Sequence, residues 1–103
     1  MVLTGKKLVR DKIPEIIKTD GRIPLIHFAD DSEYWEKLRE KLLEEVDEFL
    51  KEEQKEELAD ILEVIYTICE FKDINFNELE EFRKKKANDR GTFKNKIILD
   101  EIK

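Results

Sequence analysis

Residues 54–72, QKEELADILEVIYTICEFK, restrict the possible folds of this chain more than any other segment. Their apolar side chains cover most of the circumference of a helix: Leu58, Ile61, Leu62, Val64, Ile65, Tyr66, Ile68, Cys69 and Phe71. A helix that is apolar on nearly every side is normally buried on nearly every side. A chain of 103 residues seldom buries a helix so completely. We therefore predict the central helix of a bundle, shared with another subunit.

Three further helices are predicted from apolar periodicity, helix-capping residues and glycine stops. The residues expected to bound them are Asp11 and Gly21 for the first, Asp31 or Ser32 for the second, and Asn75 and Gly91 for the last. Segments 24–29 and 95–101 predict a small two-stranded β element. The predicted fold is mainly all-α, an antiparallel bundle of about four helices in one domain, 1–103, completed by oligomerisation.

Composition excludes several classes of function. The net charge of −6 argues against a protein that binds nucleic acid polymers or a membrane surface. No apolar run approaches the roughly 18 residues of a membrane span, and the first ten residues lack a signal-peptide pattern. The single cysteine, Cys69, cannot form an internal disulfide, which is typical of a reducing compartment. We expect a cytoplasmic protein.

Two pairs of carboxylates interrupt apolar helix faces. Glu45 lies among the apolar positions of the second helix and Glu48 lies at the edge of that face. Glu57 and Asp60 form a second pair with the same spacing of three, on or beside the apolar arc of the third helix. Solvated surface glutamates are the simplest interpretation of one such pair, but two pairs make it much less attractive.

The two pairs are also mirrored about one turn. Glu45 with Asp60, and Glu48 with Glu57, are both centred between residues 52 and 53, where a helical hairpin would turn. Antiparallel packing would then bring four carboxylates together, and four buried anions cost several kcal/mol each unless they are neutralised. Oxygen ligands select Mg²⁺ or Mn²⁺, so we predict a metal site. A di-iron centre is disfavoured because it requires Glu-x-x-His, and the single histidine, His27, lies elsewhere.

Basic residues form a candidate counterpart. Arg83, Lys86 and Arg90 recur on the side of the fourth helix that also carries apolar residues. They predict phosphate contacts, although a solvated basic run at a helix C-terminus is an equally good interpretation. Further candidates for phosphate contacts are Arg10 and Lys12. Trp35 could stack on a base but is more often a core residue at this spacing.

The motif EEVDE followed by ELAD resembles the E-E-x-x-E … E-x-x-D signature of the all-α nucleoside triphosphate pyrophosphohydrolases. That superfamily includes MazG-like proteins, dimeric dUTPases and phosphoribosyl-ATP pyrophosphohydrolases. The flanking segments KLVRDKIPEII and RGTFKNKIIL are similar to a compact MazG-like branch, often labelled phosphoribosyl-ATP pyrophosphohydrolase-like. With these segments the similarity spans most of the chain.

The resemblance implies a Mg²⁺-dependent enzyme that cleaves a nucleoside triphosphate, or a related nucleotide, between the α and β phosphates. Motif matching would make Glu45, Glu48, Glu57 and Asp60 metal ligands, with Glu44 orienting water or a ligand. Lys86 and Arg90 would hold phosphates. A homodimer or homotetramer is implied, with hairpins from two subunits in each bundle. The identity of the nucleotide stays open.

Two other hypotheses remain. A non-catalytic helical interaction protein would carry the same acidic residues as mere surface. A nucleotide-binding sensor would bind metal and nucleotide without turnover. The sequence does not distinguish the sensor from the enzyme, because both would keep all four ligand positions.

Overall fold

The computed structural model describes residues 6–103, and all regular secondary structure in this range is helical. The four helices are α1 Ile13–Thr19, α2 Asp31–Glu52, α3 Lys55–Phe71 and α4 Phe76–Arg90. The predicted all-α fold with about four helices is therefore confirmed. No helix of the described range combines the length and apolar character that crossing a membrane requires.

The predicted two-stranded β element is wrong for this range. Segments 24–29 and 95–101 contain no strand. Their apolar side chains are instead largely in solvent, with Leu25 94% exposed. A short run of alternating or β-branched residues predicts an extended backbone but says nothing about whether a neighbouring strand is present to pair with it.

Internal contacts divide the chain into two compact units, Met1–Ile68 and Cys69–Lys103. The first unit contains α1, α2 and most of α3, and the second contains the end of α3 and α4. The prediction of a single domain over residues 1–103 stays a prediction.

In the first unit, α1 begins differently from the prediction and ends as predicted. Lys12 rather than Asp11 occupies the N-cap position, and it forms no capping bond with its side chain. Proline in the first turn supplies a preformed helical φ instead. At the other end, Gly21 adopts a φ of 83°, and the N–H groups of Gly21 and Arg22 donate to carbonyls of the last turn. This is the glycine-dependent stop that the sequence predicts.

Helix α2 is capped one residue earlier than predicted. The side chain of Asp30 accepts a hydrogen bond from the backbone N–H of Glu33 at 2.9 Å, so neither Asp31 nor Ser32 is the cap. The helix ends at Glu52, and Glu53 takes a left-handed conformation with φ 53°. Only residues 53–54 separate α2 from α3, a length typical of a helical hairpin. The acidic pairs are centred between residues 52 and 53, so the turn at residues 53–54 lies one residue later than this centre.

The buried apolar side chains are few. Leu38 on α2 is 1% exposed, and Val64 on α3 is also buried. By contrast, the same two helices expose a substantial set of apolar side chains: Leu43, Val46, Leu50, Leu58, Leu62 and Tyr66. Apolar residues therefore surround α3 as the sequence indicates, but in one chain many of them are not covered.

The second unit is organised by α4. Asn75 caps the helix, accepting hydrogen bonds from the backbone N–H groups of Asn77 and Glu78 at 2.8 and 3.2 Å. Gly91, with a φ of 89°, ends it. Both bounds agree with the prediction. Cys69, at the end of α3, is a free and buried cysteine.

Candidate functional site

The five acidic residues of the motif lie on the two helices of the α2–α3 hairpin. Glu44, Glu45 and Glu48 belong to α2, and Glu57 and Asp60 belong to the first turns of α3. The side chain of Glu45 is only 12% exposed and Glu57 is 9% exposed, whereas Glu48 is in solvent. Two carboxylates are thus largely shielded from solvent, as expected of residues on the apolar faces of their helices.

Glu57 is the most unusual residue of this group. Its Oε1 is buried and has no hydrogen-bond partner among the described residues. Burial, followed by the negative charge of Glu52, raises the pKa of the Glu57 carboxyl above its usual range. A backbone hydrogen bond with Gln54 offsets part of this rise, while the charges of Glu56 and Asp60 add to it. The ionised form of Glu57 is therefore disfavoured where it stands.

Basic side chains pair with three of the other acids. Lys41, one helical turn before Glu45, places its Nζ 3.3 Å from the Glu45 Oε1. From the N-terminal segment, Arg10 donates to Asp60 at 2.8 Å. The carboxylates of the motif are thus neutralised in part by cationic side chains.

The N-terminal segment also reaches α2, because Lys7 donates to Glu44 at 3.2 Å. Lys7 and Glu44 are 37 positions apart in the sequence, and Arg10 and Asp60 are 50 positions apart. Lys7 and Arg10 are three residues apart, and such a segment spans at most about 11 Å. Glu44 of α2 and Asp60 of α3 are therefore held to one short stretch of chain.

The carboxylates of the motif do not converge within the described residues. Within residues 6–103, no three side chains of the types that ligate metals lie close enough together to hold an ion. Like charges repel one another at short range. Arg10 and Lys41 meanwhile hold Asp60 and Glu45 in ion pairs. Metal ligation by the four predicted residues stays a prediction.

The residue types nevertheless fit a hard divalent cation. Carboxylate oxygens are the donors that Mg²⁺ and Mn²⁺ prefer. Glu57 presents a buried oxygen with no described partner, and such an atom is costly unless something pairs with it. A cation beside Glu57 would remove that cost.

The other predicted site residues lie elsewhere. Lys86 and Arg90 are exposed on α4, in the second unit. Arg83 is exposed too, and its guanidinium is engaged by Glu80, which raises the pKa of Arg83 and lowers that of Glu80. Their contacts with phosphate stay predictions.

Lys12 and Trp35, predicted to contact phosphate and a base, both lie in the first unit. Lys12 is exposed at the start of α1. The half-buried Trp35 has the Arg39 guanidinium 5.8 Å from its ring centroid, so a cation already lies over one face of the ring. Phosphate contact by Lys12 and base stacking by Trp35 stay predictions.

Sequence reasoning missed the lysines beside the acids. The position of Lys41 could have been predicted from the sequence, because it is four residues before Glu45 and therefore lies on the same helix face. That of Lys7 could not, because nothing local indicates a contact 37 positions away. His27 was not predicted to belong to the site. It lies in the segment before α2, and its Nε2 is 2.9 Å from the Oε1 of Glu33 in the first turn of α2.

Comparison with known proteins gives one short match. An uncharacterized protein of Mycolicibacterium smegmatis is 55% identical over 42 residues, which is 41% of this chain and 43% of that protein. The match thus spans less than half the length of the relative. No family model matches the chain. No solved structure matches it either.

Proposed function

We propose that this chain is a Mg²⁺-dependent nucleotide pyrophosphohydrolase of the MazG-like type. It would hydrolyse a nucleoside triphosphate, or a related nucleotide, between the α and β phosphates and release a monophosphate and pyrophosphate. A house-cleaning role against unwanted nucleotides is consistent with this chemistry. The observation that carries the proposal is the buried carboxylate of Glu57, with one oxygen unpaired among the described residues and its pKa raised.

A carboxylate in such a position is unfavourable for stability alone. Burying a charged group without a partner costs free energy, and an apolar residue at position 57 would pack without that cost. Perturbed carboxylates of this kind are candidates for functional sites. The other acids of the same motif, three of which pair with basic side chains, make a cation the natural missing partner of Glu57. The resemblance of EEVDE … ELAD to the superfamily signature supports the same assignment.

The residues that would hold the ion are Glu45, Glu48, Glu57 and Asp60. When bound, Mg²⁺, or Mn²⁺ in its place, would stabilise charge on the phosphates and lower the pKa of attacking water. Glu44 is paired with Lys7 and lies one residue before the first ligand. We assign it the orientation of water or of a ligand.

Basic residues would bind the phosphates of the substrate. Arg10 is 2.8 Å from Asp60, so it is already beside the acids and could exchange this carboxylate for a phosphate. Lys12 follows in the same segment. Trp35 is proposed to stack on the base, and phosphate contacts by Arg83, Lys86 and Arg90 stay predictions.

A second copy of the chain would complete the bundle. The exposed side chains of Leu43, Leu50, Leu58 and Leu62 lie on the two helices that carry the motif. Water contact with so many apolar groups is unfavourable, and a homodimer or homotetramer would bury them. The free, buried Cys69 is compatible with the cytoplasmic location we propose.

A second candidate is a non-catalytic helical module that binds a nucleotide or another protein. The exposed apolar residues of α2 and α3 are the observation that favours it, because interaction surfaces have this character. It differs from the first proposal in predicting no product from any nucleotide.

The test is pyrophosphate release from a panel of canonical and modified nucleoside triphosphates and phosphoribosyl-ATP. Each would be incubated with Mg²⁺ and, in parallel, with EDTA. Hydrolysis in ¹⁸O-labelled water would show which phosphorus is attacked, and we expect the label in the nucleoside monophosphate. Release of inorganic phosphate, or no product from any nucleotide, would contradict the proposal. Binding of the same nucleotides without turnover would favour the second candidate.

A further inference from the structure

A cavity of about 260 Å³ lies beside the acidic motif in the first unit. The N-terminal segment contributes Lys6 and Lys7 to its wall, and α2 contributes Lys37 and Lys41. Two glutamates, Glu40 and Glu44, also line it. Four lysines therefore surround one small space in a chain whose net charge is −6.

The two carboxylates do not neutralise the four lysines. Glu40 pairs with Lys37 at 3.0 Å, and Glu44 is shared between Lys7 at 3.2 Å and Lys41 at 3.8 Å. No contact with a carboxylate is described for Lys6. The lining residues alone carry a formal excess of two positive charges, which falls to one when Glu45, paired with Lys41 at 3.3 Å, is included. Ion pairs at a surface are weak and readily exchanged, so a stronger anion can displace these carboxylates.

Size and chemistry limit what such a cavity can hold. Pockets for drug-sized molecules usually exceed about 300 Å³, so a space of about 260 Å³ suits a ligand smaller than these. A lysine ammonium offers three donors on a flexible stem and binds phosphate oxygens as a point charge. Several lysines around a small space suit a compact anion with several charged oxygens.

We propose that this cavity binds a pyrophosphate group, either free or as the terminal phosphates of a nucleotide. Lys41 connects it to the acidic motif, because Lys41 lines the cavity and its Nζ lies 3.3 Å from the Oε1 of Glu45. The anion would therefore lie next to the candidate metal ligands. The assignment of the bound pyrophosphate as the leaving group of the reaction rests on the proposed function. The binding of pyrophosphate by the lysines does not.

The test is a calorimetric titration of the metal-depleted protein with inorganic pyrophosphate. The variants are Lys37→Gln and the double variant Lys6→Gln/Lys7→Gln, and we expect each to weaken pyrophosphate binding about tenfold or more. Lys18→Gln is the matched control. Lys18 is an exposed lysine of the same unit, it pairs with Glu15 at 3.5 Å, and it does not line the cavity. It should change the affinity less than twofold.

Three results would overturn the inference. They are no measurable binding of pyrophosphate by the wild type, equal losses in the cavity variants and the control, and orthophosphate binding as tight as pyrophosphate. Lys6 and Lys7 precede the first helix, so the double variant stays informative even if Lys37→Gln disturbs α2. Circular dichroism on each variant would verify that the helices are intact.

Failure of this inference is distinguishable from failure of the proposed function. If the lysine variants lose pyrophosphate binding but no nucleotide is hydrolysed, the anion site stands and the enzyme does not. If nucleotides are hydrolysed while neither substrate KM nor inhibition by pyrophosphate changes in the lysine variants, the enzyme stands and the cavity is not its anion site.

Discussion

At the scale of single residues, Glu57 departs furthest from what stability alone would favour. Its position between the directions of Val64 and Ile68 follows from helical periodicity, and the structure confirms that it is buried. A neutral side chain of the same shape would avoid the cost of the buried charge. Because that cost exists only when Glu57 is ionised, it makes stability depend on pH.

We predict that Glu57→Gln raises the melting temperature of the metal-free protein at pH 7. The pKa of Glu57 is raised in the folded state, so its protonated form contributes stability at low pH that is lost as pH rises through the folded pKa. The advantage of the variant should therefore shrink as pH falls toward the usual carboxyl pKa, near 4.3. Thermal denaturation with EDTA between pH 4.5 and 8 measures this.

Glu63→Gln is the control, since Glu63 is an exposed glutamate on the same helix. It should shift the melting temperature little at any pH. A loss of stability in Glu57→Gln, or a gain that does not depend on pH, would count against the buried-charge account.

Arg10 gives a second prediction at this scale. In the metal-free protein its guanidinium pairs with Asp60, so a metal ion at Asp60 has to displace it. An exposed pair contributes up to about 1 kcal/mol, which corresponds to about a fivefold change in affinity. Arg10→Gln should therefore bind Mn²⁺ up to about fivefold more tightly in the absence of nucleotide, as measured by electron paramagnetic resonance of free Mn²⁺.

Lys18→Gln removes the same charge at a site away from the acids and should leave Mn²⁺ affinity nearly unchanged. Weaker Mn²⁺ binding by Arg10→Gln would show that this arginine does not compete with the metal.

At the scale of the helices, the cap of α2 shows how far local sequence reasoning reaches. The segment Asp30, Asp31, Ser32 holds three good capping residues in a row, and propensity alone does not choose among them. The cap is Asp30, whose side chain accepts a hydrogen bond from the backbone N–H of Glu33. Asn75 and Gly91 were both predicted correctly.

We predict that Asp30→Ala costs about 1 kcal/mol of stability, because a backbone donor of α2 loses its side-chain partner. Asp31→Ala is the matched control, with the same charge change at the next position. It loses only an interaction with the helix dipole, a few tenths of a kcal/mol for an exposed residue. Urea denaturation monitored by circular dichroism would measure both, and equal losses would argue against Asp30 as the cap.

Contacts between distant segments explain most of what the sequence did not reveal. Helical periodicity correctly predicted that Glu45 and Glu57 are largely shielded from solvent, because the face on which a residue lies is set within one helix. The pairing of Arg10 with Asp60 depends on how the chain folds back over 50 positions, and no local pattern encodes it. The β segments failed for the same reason, since strand formation depends on a partner that a short apolar run does not specify.

At the scale of the whole molecule, exposed apolar side chains are the main feature that one chain leaves unexplained. Leu43 is 71% exposed on the helix whose Leu38 is almost fully buried. The apolar residues on nearly every side of α3 predict that this helix is shared with a second subunit. Leu58 and Leu62 of α3 are exposed in one chain, and sharing of this helix with a second subunit stays a prediction.

We predict a particle of two or four times the 12.4 kDa of one chain in light scattering after gel filtration. Leu62→Asp would place a charge on the apolar surface and should shift the mass toward one chain. Glu63→Asp, at the neighbouring exposed position, should leave the mass unchanged. A wild-type mass of 12.4 kDa at micromolar concentration would contradict the assembly.

The most direct test of the central claim compares Glu48→Gln with Glu63→Gln in Mg²⁺-dependent release of pyrophosphate from the best nucleotide of the panel. Glu48 is exposed, so its substitution should leave the fold intact while removing a metal ligand. We predict that Glu48→Gln lowers kcat/KM by about 100-fold or more, while Glu63→Gln stays within twofold of the wild type. Equal activity of the two variants would contradict the assignment of the acidic motif as the metal site.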